Sequence, residues 1–206
     1  GVVTTFAIVA GVTGASLSSM IVVILGIANL VGDGFSMAAG AFSSTKTETD
    51  NYKRLYAVED RHIDQNPEGE REEIRQIFQN KGFTGDDLER AVATITADRE
   101  QWIATMMTEE YGIASVQASP VKAGVHTFLA FLVCGAMPLL PYVLAVPHAF
   151  YGALGLSAVT FFGIGAMKSR WSVTSWWRHG LETLFVGLAA AGLAFVIGYA
   201  LKGLGA

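Results

Sequence analysis

Residues 28–56, ANLVGDGFSMAAGAFSSTKTETDNYKRLY, contain the change of character that decides the fold. Their first half is apolar and rich in glycine, and its single acid is Asp33. Their second half is polar and charged, and no proline interrupts the passage between the two. The apolar stretch runs from Leu17 to about Phe42, which is enough for a bilayer-spanning helix of roughly 17–25 residues. The sequence therefore predicts a membrane helix that continues into water.

The whole chain shows the same division of charge. Of its 206 residues, 51% are hydrophobic and 16% are charged, against roughly 25% charged in an ordinary soluble domain. Residues 45–115 hold 16 of the 18 acids and nine of the 14 bases, a formal net charge of 9 − 16 = −7. A nucleic-acid-binding protein would need a basic face. We exclude that class and predict an integral membrane protein with one water-facing insert.

Five apolar stretches predict five membrane helices, called spans 1 to 5. Span 1 covers residues 1–13 and is short, so we expect the chain to begin inside this helix. Spans 2 to 5 run from Leu17 to about Phe42, Val121 to Leu144, Phe150 to Met167, and Leu181 to Leu201. The predicted fold class is an all-α integral membrane protein with five transmembrane helices per subunit. The predicted segments are 1–44 (spans 1 and 2), 45–117 (insert) and 118–206 (spans 3 to 5).

We expect three helices in the insert, which lies between spans 2 and 3. The first continues span 2 to Ile63. Asn66 followed by proline is a typical helix start and predicts a second helix that ends near Asn80. Thr84, in a pattern that resembles a capping box, predicts a third helix that ends near Gly112.

The distribution of lysine and arginine predicts the orientation in the membrane. The insert holds nine of them, and the connection between spans 4 and 5 holds Lys168, Arg170 and Arg178. The connections between spans 1 and 2 and between spans 3 and 4 hold none. Because cytoplasmic loops carry the excess of positive charge, we expect the insert and the N-terminus on the cytoplasmic side.

One acid lies inside span 2. Asn29, Asp33 and Met37 are spaced by four residues and so share one face of a helix. A carboxylate at membrane depth costs roughly 2.5–3.5 kcal/mol and normally faces a cavity, a partner or an ion path. An amide oxygen, a carboxylate and a thioether suit a borderline divalent cation such as Fe²⁺. The alternatives are that Asp33 carries a proton, or that neighbouring hydroxyls satisfy it while Met37 packs.

A stripe of small residues runs beside this face. Ala28, Gly32, Ser36 and Gly40 are also spaced by four, a pattern that lets helices approach closely. The stripe predicts a packing face, either for span 1 or for a second subunit.

A second group of candidate ligands lies in the insert. Three sets of neighbours share helix faces: Glu59 with His62, Glu70 with Glu73, and Met106 and Met107 with Glu110. Carboxylates and imidazole suit Fe²⁺, Mn²⁺ and Zn²⁺, and methionine sulfur favours softer metals. Two adjacent methionines before acids are unusual on a polar surface, which favours a ligand role. The alternative is a solvated acidic face. A di-iron oxidase needs two Glu-x-x-His motifs, and only Glu59-x-x-His62 matches.

Five segments carry a resemblance to a known family. They are TTFAIVAGVTGASLS (4–18), ANLVGDGFSMAAGAFSS (28–44), ITADREQWIATMMTEEYG (95–112), GAMPLLPY (135–142) and GAMKSRWS (165–172). Together they resemble the vacuolar iron transporter family. The resemblance implies a homodimer in a lipid bilayer that moves Fe²⁺, and often Mn²⁺ or a related ion such as Zn²⁺ or Co²⁺, out of the cytosol in exchange for protons. It implies no prosthetic group.

The resemblance also implies which residues bind metal. By position, the ligands of the family's cytoplasmic domain fall on Glu59, Glu70, Glu73, Met106, Met107 and Glu110. His62 stands where another glutamate is expected, and the methionine of the membrane path falls on Met37. An aspartate of the family's first helix would precede Gly1. The DGFSM form of span 2 (residues 33–37) is closer to prokaryotic members, so we expect a bacterial cell membrane rather than a vacuolar one.

Two functions from different classes follow. The first is a proton-coupled exporter of divalent metal, and the second is a membrane-anchored protein that binds or senses metal without transporting it. Asp33 favours the exporter, because a membrane anchor has no need of an acid inside the bilayer.

Overall fold

The structure is a computed structural model that describes residues 1–113 and 118–203. Throughout those two ranges every regular element is helical, which confirms the all-α class. The helices are α1 (Val2–Gly14), α2 (Ser19–Gln65), α3 (Pro67–Asn80), α4 (Gly85–Thr96), α5 (Arg99–Glu109), α6 (Pro120–Ala136), α7 (Leu140–Val143), α8 (Ala149–Lys168) and α9 (Trp176–Leu201). Two 3₁₀ turns, Met137–Leu139 and Ser169–Trp171, complete the order.

The chain divides into two compact units. The apolar unit comprises Gly1–Ala41 and Ala123–Ala206, and the acidic unit comprises Phe42–Lys122. The predicted boundary between insert and span 3, at residue 117, falls outside the described residues. The assignment of three segments therefore stays a prediction.

Four helical segments in the described ranges are long and apolar enough to cross a membrane. They are Ser19–Gln65, Pro120–Val143, Ala149–Trp171 and Trp176–Leu201, and they correspond to spans 2 to 5. Helix α1, which corresponds to span 1, has 13 residues and is too short by the same criterion. The total of five spans stays a prediction.

Proline shapes the third of these segments. Helix α6 ends at Ala136, and a 3₁₀ turn and the short helix α7 continue the segment. Pro138 and Pro141 lie in the first turns of these two short elements. Proline lacks the amide hydrogen of a helix interior and clashes with the preceding turn, so the uniform helix expected over span 3 is interrupted.

Close contact between α1 and α9 organises the apolar unit. A Cβ atom built on Gly198 would lie 2.0 Å from the carbonyl oxygen of Gly11, and one on Gly14 would lie 2.3 Å from that of Phe195. Only glycine permits this approach of two backbones. Phe6 and Val9 of α1 are fully buried as a result.

The stripe of small residues on α2 is not packed against α1. Ala28, Gly32, Ser36 and Gly40 are all exposed. A Cβ built on Gly32 or Gly40 would meet nothing within 4 Å in the described part of the chain. Of the two predicted partners, span 1 does not occupy this face.

In the acidic unit, two of the three predicted helices are confirmed. Helix α2 continues without a break to Gln65. Helix α3 begins as predicted, because the side chain of Asn66 accepts a hydrogen bond from the Gly69 amide at 3.2 Å. It ends at Asn80, shortly before Gly82, whose φ of +96° turns the chain.

The prediction of a single third helix is wrong. The segment forms two helices, α4 and α5, so four helical segments, α2 to α5, replace the expected three over the described residues up to 113. Asp98 divides them, since its side chain accepts hydrogen bonds from the amides of Glu100 and Gln101 at 2.9 and 3.2 Å and caps α5. The capping box is also wrong, because the Thr84 side chain makes no capping hydrogen bond.

One apolar core joins these helices. Its buried members come from α2 to α5: Ile63, Ile74, Leu88, Val92, Trp102, Ile103, Met106 and Met107. Arg99, at the start of α5, also ties that helix to α2. Its guanidinium donates to the Asp60 and Asp64 carboxylates at 2.6 and 2.7 Å.

Candidate metal site

Two acids and a histidine of the acidic unit form a cluster of metal-ligand type. Glu59 and His62 lie one turn apart on α2, and Glu70 lies on α3. One ligand atom from each lies within 4.8 Å of the other two. The His62 Nδ1 atom is 3.9 Å from Glu59 Oε1 and 3.7 Å from Glu70 Oε1. The short connection between α2 and α3 brings Glu70 back beside the first pair.

Burial makes this cluster different from a solvated acidic face. Glu59 is 1% exposed and Glu70 is 6% exposed, whereas the His62 side chain is half exposed. The Oε2 atoms of both glutamates are buried and have no hydrogen-bond partner among the described residues. Buried carboxylates are normally paired, protonated or bound to a metal. The unpartnered oxygens therefore favour a proton or a cation in the cluster.

The electrostatics of the cluster raise the affinity of its acids for protons. Burial raises the pKa of Glu70 to about 7, and the neighbouring charges of Glu73 and Glu59 add to this effect. Burial, followed by the charges of Glu59 and Glu73, also raises the pKa of Glu110. Like charges that cannot all remain ionised attract a divalent cation, which replaces the protons.

Glu73 and Glu110 lie at the edge of the cluster and are exposed. With Gln76, Ile77 and Asn80 they line a cavity of about 370 Å³. The two amides were not predicted as site residues. Gln76 follows Glu73 by three residues on α3 and Asn80 follows Gln76 by four, the spacing that puts side chains on one helix face.

The two methionines are not on a polar surface. Met106 is 0% exposed and Met107 1%, and both belong to the apolar core of the unit. The surface argument for their ligand role is therefore wrong, because their burial is accounted for by packing. Their role as ligands stays a prediction from the resemblance.

Tyr111 is a site residue that the sequence did not indicate. Its hydroxyl donates a hydrogen bond of 2.7 Å to Oε1 of Glu59. This bond to the carboxylate, with burial, raises the pKa of the tyrosine. The two residues are 52 positions apart, so no local pattern could have paired them.

The predicted membrane-path residues, Asn29, Asp33 and Met37, lie on an uninterrupted part of α2. Asn29 and Asp33 are half-buried, and Met37 is 53% exposed. The Asn29 amide donates to the Thr4 hydroxyl of α1 at 3.5 Å. The unbroken helix supports the expected common face, while the role of the three side chains in transport stays a prediction.

Helices of membrane-spanning length and a buried cluster of carboxylates beside an imidazole define the class of the protein. It is a helical membrane protein with a candidate site whose residue types suit a borderline divalent cation. The chain matches the VIT family over residues 1–199. The chain belongs to this family, as the sequence resemblance indicated, and it is a multi-pass membrane protein.

Individual proteins named as vacuolar iron transporters are similar to this chain over most of its length. The chain is 30% identical to "Vacuolar iron transporter 1" of Arabidopsis thaliana over 201 residues, covering 96% of this chain and 80% of the relative. It is 31% identical to the "Vacuolar iron transporter" of Toxoplasma gondii, covering 82% of this chain and 60% of the relative. With the "Vacuolar iron transporter" of Plasmodium berghei it shares 28% identity, covering 98% and 78%.

Proposed function

We propose that this chain is a proton-coupled transporter that exports Fe²⁺, and also Mn²⁺ or a similar divalent cation, from the cytosol across a membrane. The single observation that carries the proposal is the pair of buried glutamates, Glu59 and Glu70, whose Oε2 atoms have no hydrogen-bond partner among the described residues, in a member of the VIT family. Relatives named as iron transporters support iron as the cargo.

The acidic unit captures the metal in this proposal. Glu59, His62 and Glu70 bind the ion directly, and Glu73, Glu110, Met106 and Met107 complete the site. The net charge of −7 over residues 45–115 raises the local concentration of cations. Imidazole in place of a further carboxylate suits Fe²⁺ and Zn²⁺ better than Mg²⁺ or Ca²⁺.

The membrane path in this proposal uses the face of α2 that carries Asn29, Asp33 and Met37. The ion exchanges water for the Asn29 amide, the Asp33 carboxylate and the Met37 sulfur. Protons from the far side release the ion, because ligands must be deprotonated to bind. Two subunits with five spans each pack along the exposed stripe of small residues, Ala28 to Gly40. The acidic unit faces the cytosol, and the membrane is that of a bacterial cell.

A flux assay tests the proposal. We expect purified protein in sealed vesicles to transport Fe²⁺ or Mn²⁺ only when a pH gradient is imposed. Asp33→Asn should reduce the flux to that of empty vesicles, because the carboxylate is the only charged group of that face of α2. Met37→Leu should reduce Fe²⁺ flux through loss of the thioether.

Matched controls lie on the same helix. Asp50→Asn removes an exposed acid that pairs with Lys46, and Met20→Leu changes a methionine that is 65% exposed. Both should leave the flux unchanged. Flux that survives Asp33→Asn and Met37→Leu would remove that face of α2 from the mechanism.

The second candidate is metal binding or sensing without transport. It is favoured by the acidic unit itself, which has its own apolar core and contains the whole buried cluster. The same vesicles decide between the two. Tight metal binding with no flux at any pH gradient would establish the second candidate.

A further inference from the structure

The position of Tyr111 is fixed by the way α5 ends. Gly112 has a φ of +66°, in the left-handed region that favours glycine. The next amide, that of Ile113, donates to the Met107 carbonyl at 3.0 Å. The chain therefore folds back at this point, and the half-buried ring of Tyr111 packs against the core of the acidic unit.

The hydrogen bond makes the two oxygens of Glu59 unequal. Oε1 accepts the Tyr111 hydroxyl at 2.7 Å, whereas Oε2 is buried without a hydrogen-bond partner among the described residues. Bidentate coordination would need both oxygens to face one cation. Oε1 is also the oxygen that lies 3.9 Å from Nδ1 of His62. The bond holds the carboxylate in one rotation with Oε1 beside the imidazole and leaves this atom a second lone pair, so Glu59 is disposed to offer a cation this single oxygen.

The number of oxygens that a carboxylate offers affects which metal binds. Ca²⁺ takes six to eight oxygen ligands and commonly uses bidentate carboxylates. Fe²⁺ and Mn²⁺ accept fewer ligands than this, and imidazole suits Fe²⁺ in particular; His62 supplies one beside Glu59 and Glu70. A single-oxygen Glu59 therefore penalises Ca²⁺ more than Fe²⁺ or Mn²⁺.

We propose that Tyr111 is a positioning residue that keeps Glu59 a single-oxygen ligand and thereby makes the site discriminate against Ca²⁺. This inference rests on the proposed capture of metal by the acidic unit. It concerns selectivity, and so it predicts an effect on the ratio of two affinities rather than on one affinity alone.

The test uses the full chain in detergent and the variant Tyr111→Phe, which keeps the ring and removes the hydroxyl. Isothermal titration measures the affinity for Mn²⁺, which is stable in air, and for Ca²⁺. Loss of a group that orients a ligand typically costs 10–100-fold in metal affinity. We expect the affinity for Mn²⁺ to fall by about 10-fold or more while that for Ca²⁺ stays or rises.

Tyr56→Phe is the matched control. Tyr56 packs against the same core, and its replacement leaves the bond between Tyr111 and Glu59 in place. The ratio of the Mn²⁺ and Ca²⁺ affinities should be unchanged in this variant. An equal fall of both affinities in Tyr111→Phe would mark a merely structural role and would overturn the inference, as would no change in either.

The outcomes separate this inference from the proposed function. Failure of the unaltered chain to bind Mn²⁺, or binding that Glu70→Gln leaves intact, would overturn metal capture and the inference with it. Binding that Glu70→Gln abolishes, together with an unchanged ratio in Tyr111→Phe, would overturn the role of Tyr111 alone.

A measurement on the unaltered protein covers the case in which the variant does not fold. Infrared difference spectra between metal-free and Mn²⁺-loaded protein report how carboxylates coordinate. The bands of Glu59 are those that Glu59→Gln removes from this spectrum. A separation of these two bands wider than in the free ion, the mark of single-oxygen binding, supports the inference. A narrower separation, the mark of bidentate binding, would overturn it.

Discussion

Acidification should weaken metal binding to the acidic unit through Glu70. Burial raises the pKa of this residue to about 7, and the charges of Glu73, Glu59 and Glu110 add to the shift. The charge of His62 opposes it. A metal that binds Glu70 must displace a proton below that pH. The affinity should therefore be nearly full above pH 7 and fall as the pH drops below it.

The magnitude follows from the position of the pKa. Protonation of a carboxyl with a pKa of about 7 lowers the apparent metal affinity by about 50-fold between pH 7 and pH 5. Protonation of a carboxyl with the ordinary pKa of about 4.5 would lower the affinity by only about 1.3-fold over the same interval. The two expected losses of affinity differ by a factor of roughly 30 or more, which a titration resolves easily.

The assay is titration of the full chain with Mn²⁺ at a series of pH values. Glu70→Gln should lower the affinity at pH 7 and also remove the share of the pH dependence that Glu70 supplies. Glu72→Gln is the matched control, since Glu72 is an exposed neighbour that pairs with Arg75. A pH profile that Glu70→Gln leaves unchanged would refute the reasoning.

Two further predictions concern stability. Ile103 is 0% exposed in the core of the acidic unit. Ile103→Ala should therefore lower the free energy of unfolding, measured by denaturant titration, by about 2–5 kcal/mol. A change below about 1 kcal/mol would show that the core collapses around the smaller residue. Gly198→Ala should reduce the yield of folded protein in size-exclusion chromatography, because its Cβ would lie 2.0 Å from a backbone oxygen of α1. Gly203→Ala is the control, because a Cβ there meets no atom of residues 1–113 or 118–203 within 4 Å.

The parts of the fold that could be predicted are those that local sequence determines. The continuation of α2 followed from a passage without proline, and the start of α3 followed from Asn66 before Pro67. The division between α4 and α5 was missed because apolar residues recur at helical spacing on both sides of it. Asp98, with Glu100 in the first turn of α5, was the available signal.

The candidate site shows the same limit. Glu59 and His62 could be paired from their spacing on one helix, and the turn at Asn66 makes the approach of Glu70 understandable. The burial of Glu59 and its bond to Tyr111 could not be inferred, because both depend on how α5 packs against α2. Sequence indicates which residue types can bind metal, and packing decides which of their oxygens are left without a partner.

In the proposed function, a proton and a divalent cation compete for the buried carboxylate oxygens of the acidic unit. Without metal, a proton on Glu70 stabilises the fold: the unfolded carboxyl titrates near pH 4.5 and the folded one near 7, so this stabilisation is complete below about 4.5 and is lost as the pH rises through 7. Above that pH a divalent cation can take the proton's place among the same oxygens. In the proposed function, competition of this kind couples metal release to acidification, and it follows from the burial of Glu70 together with the charges of Glu73, Glu59 and Glu110.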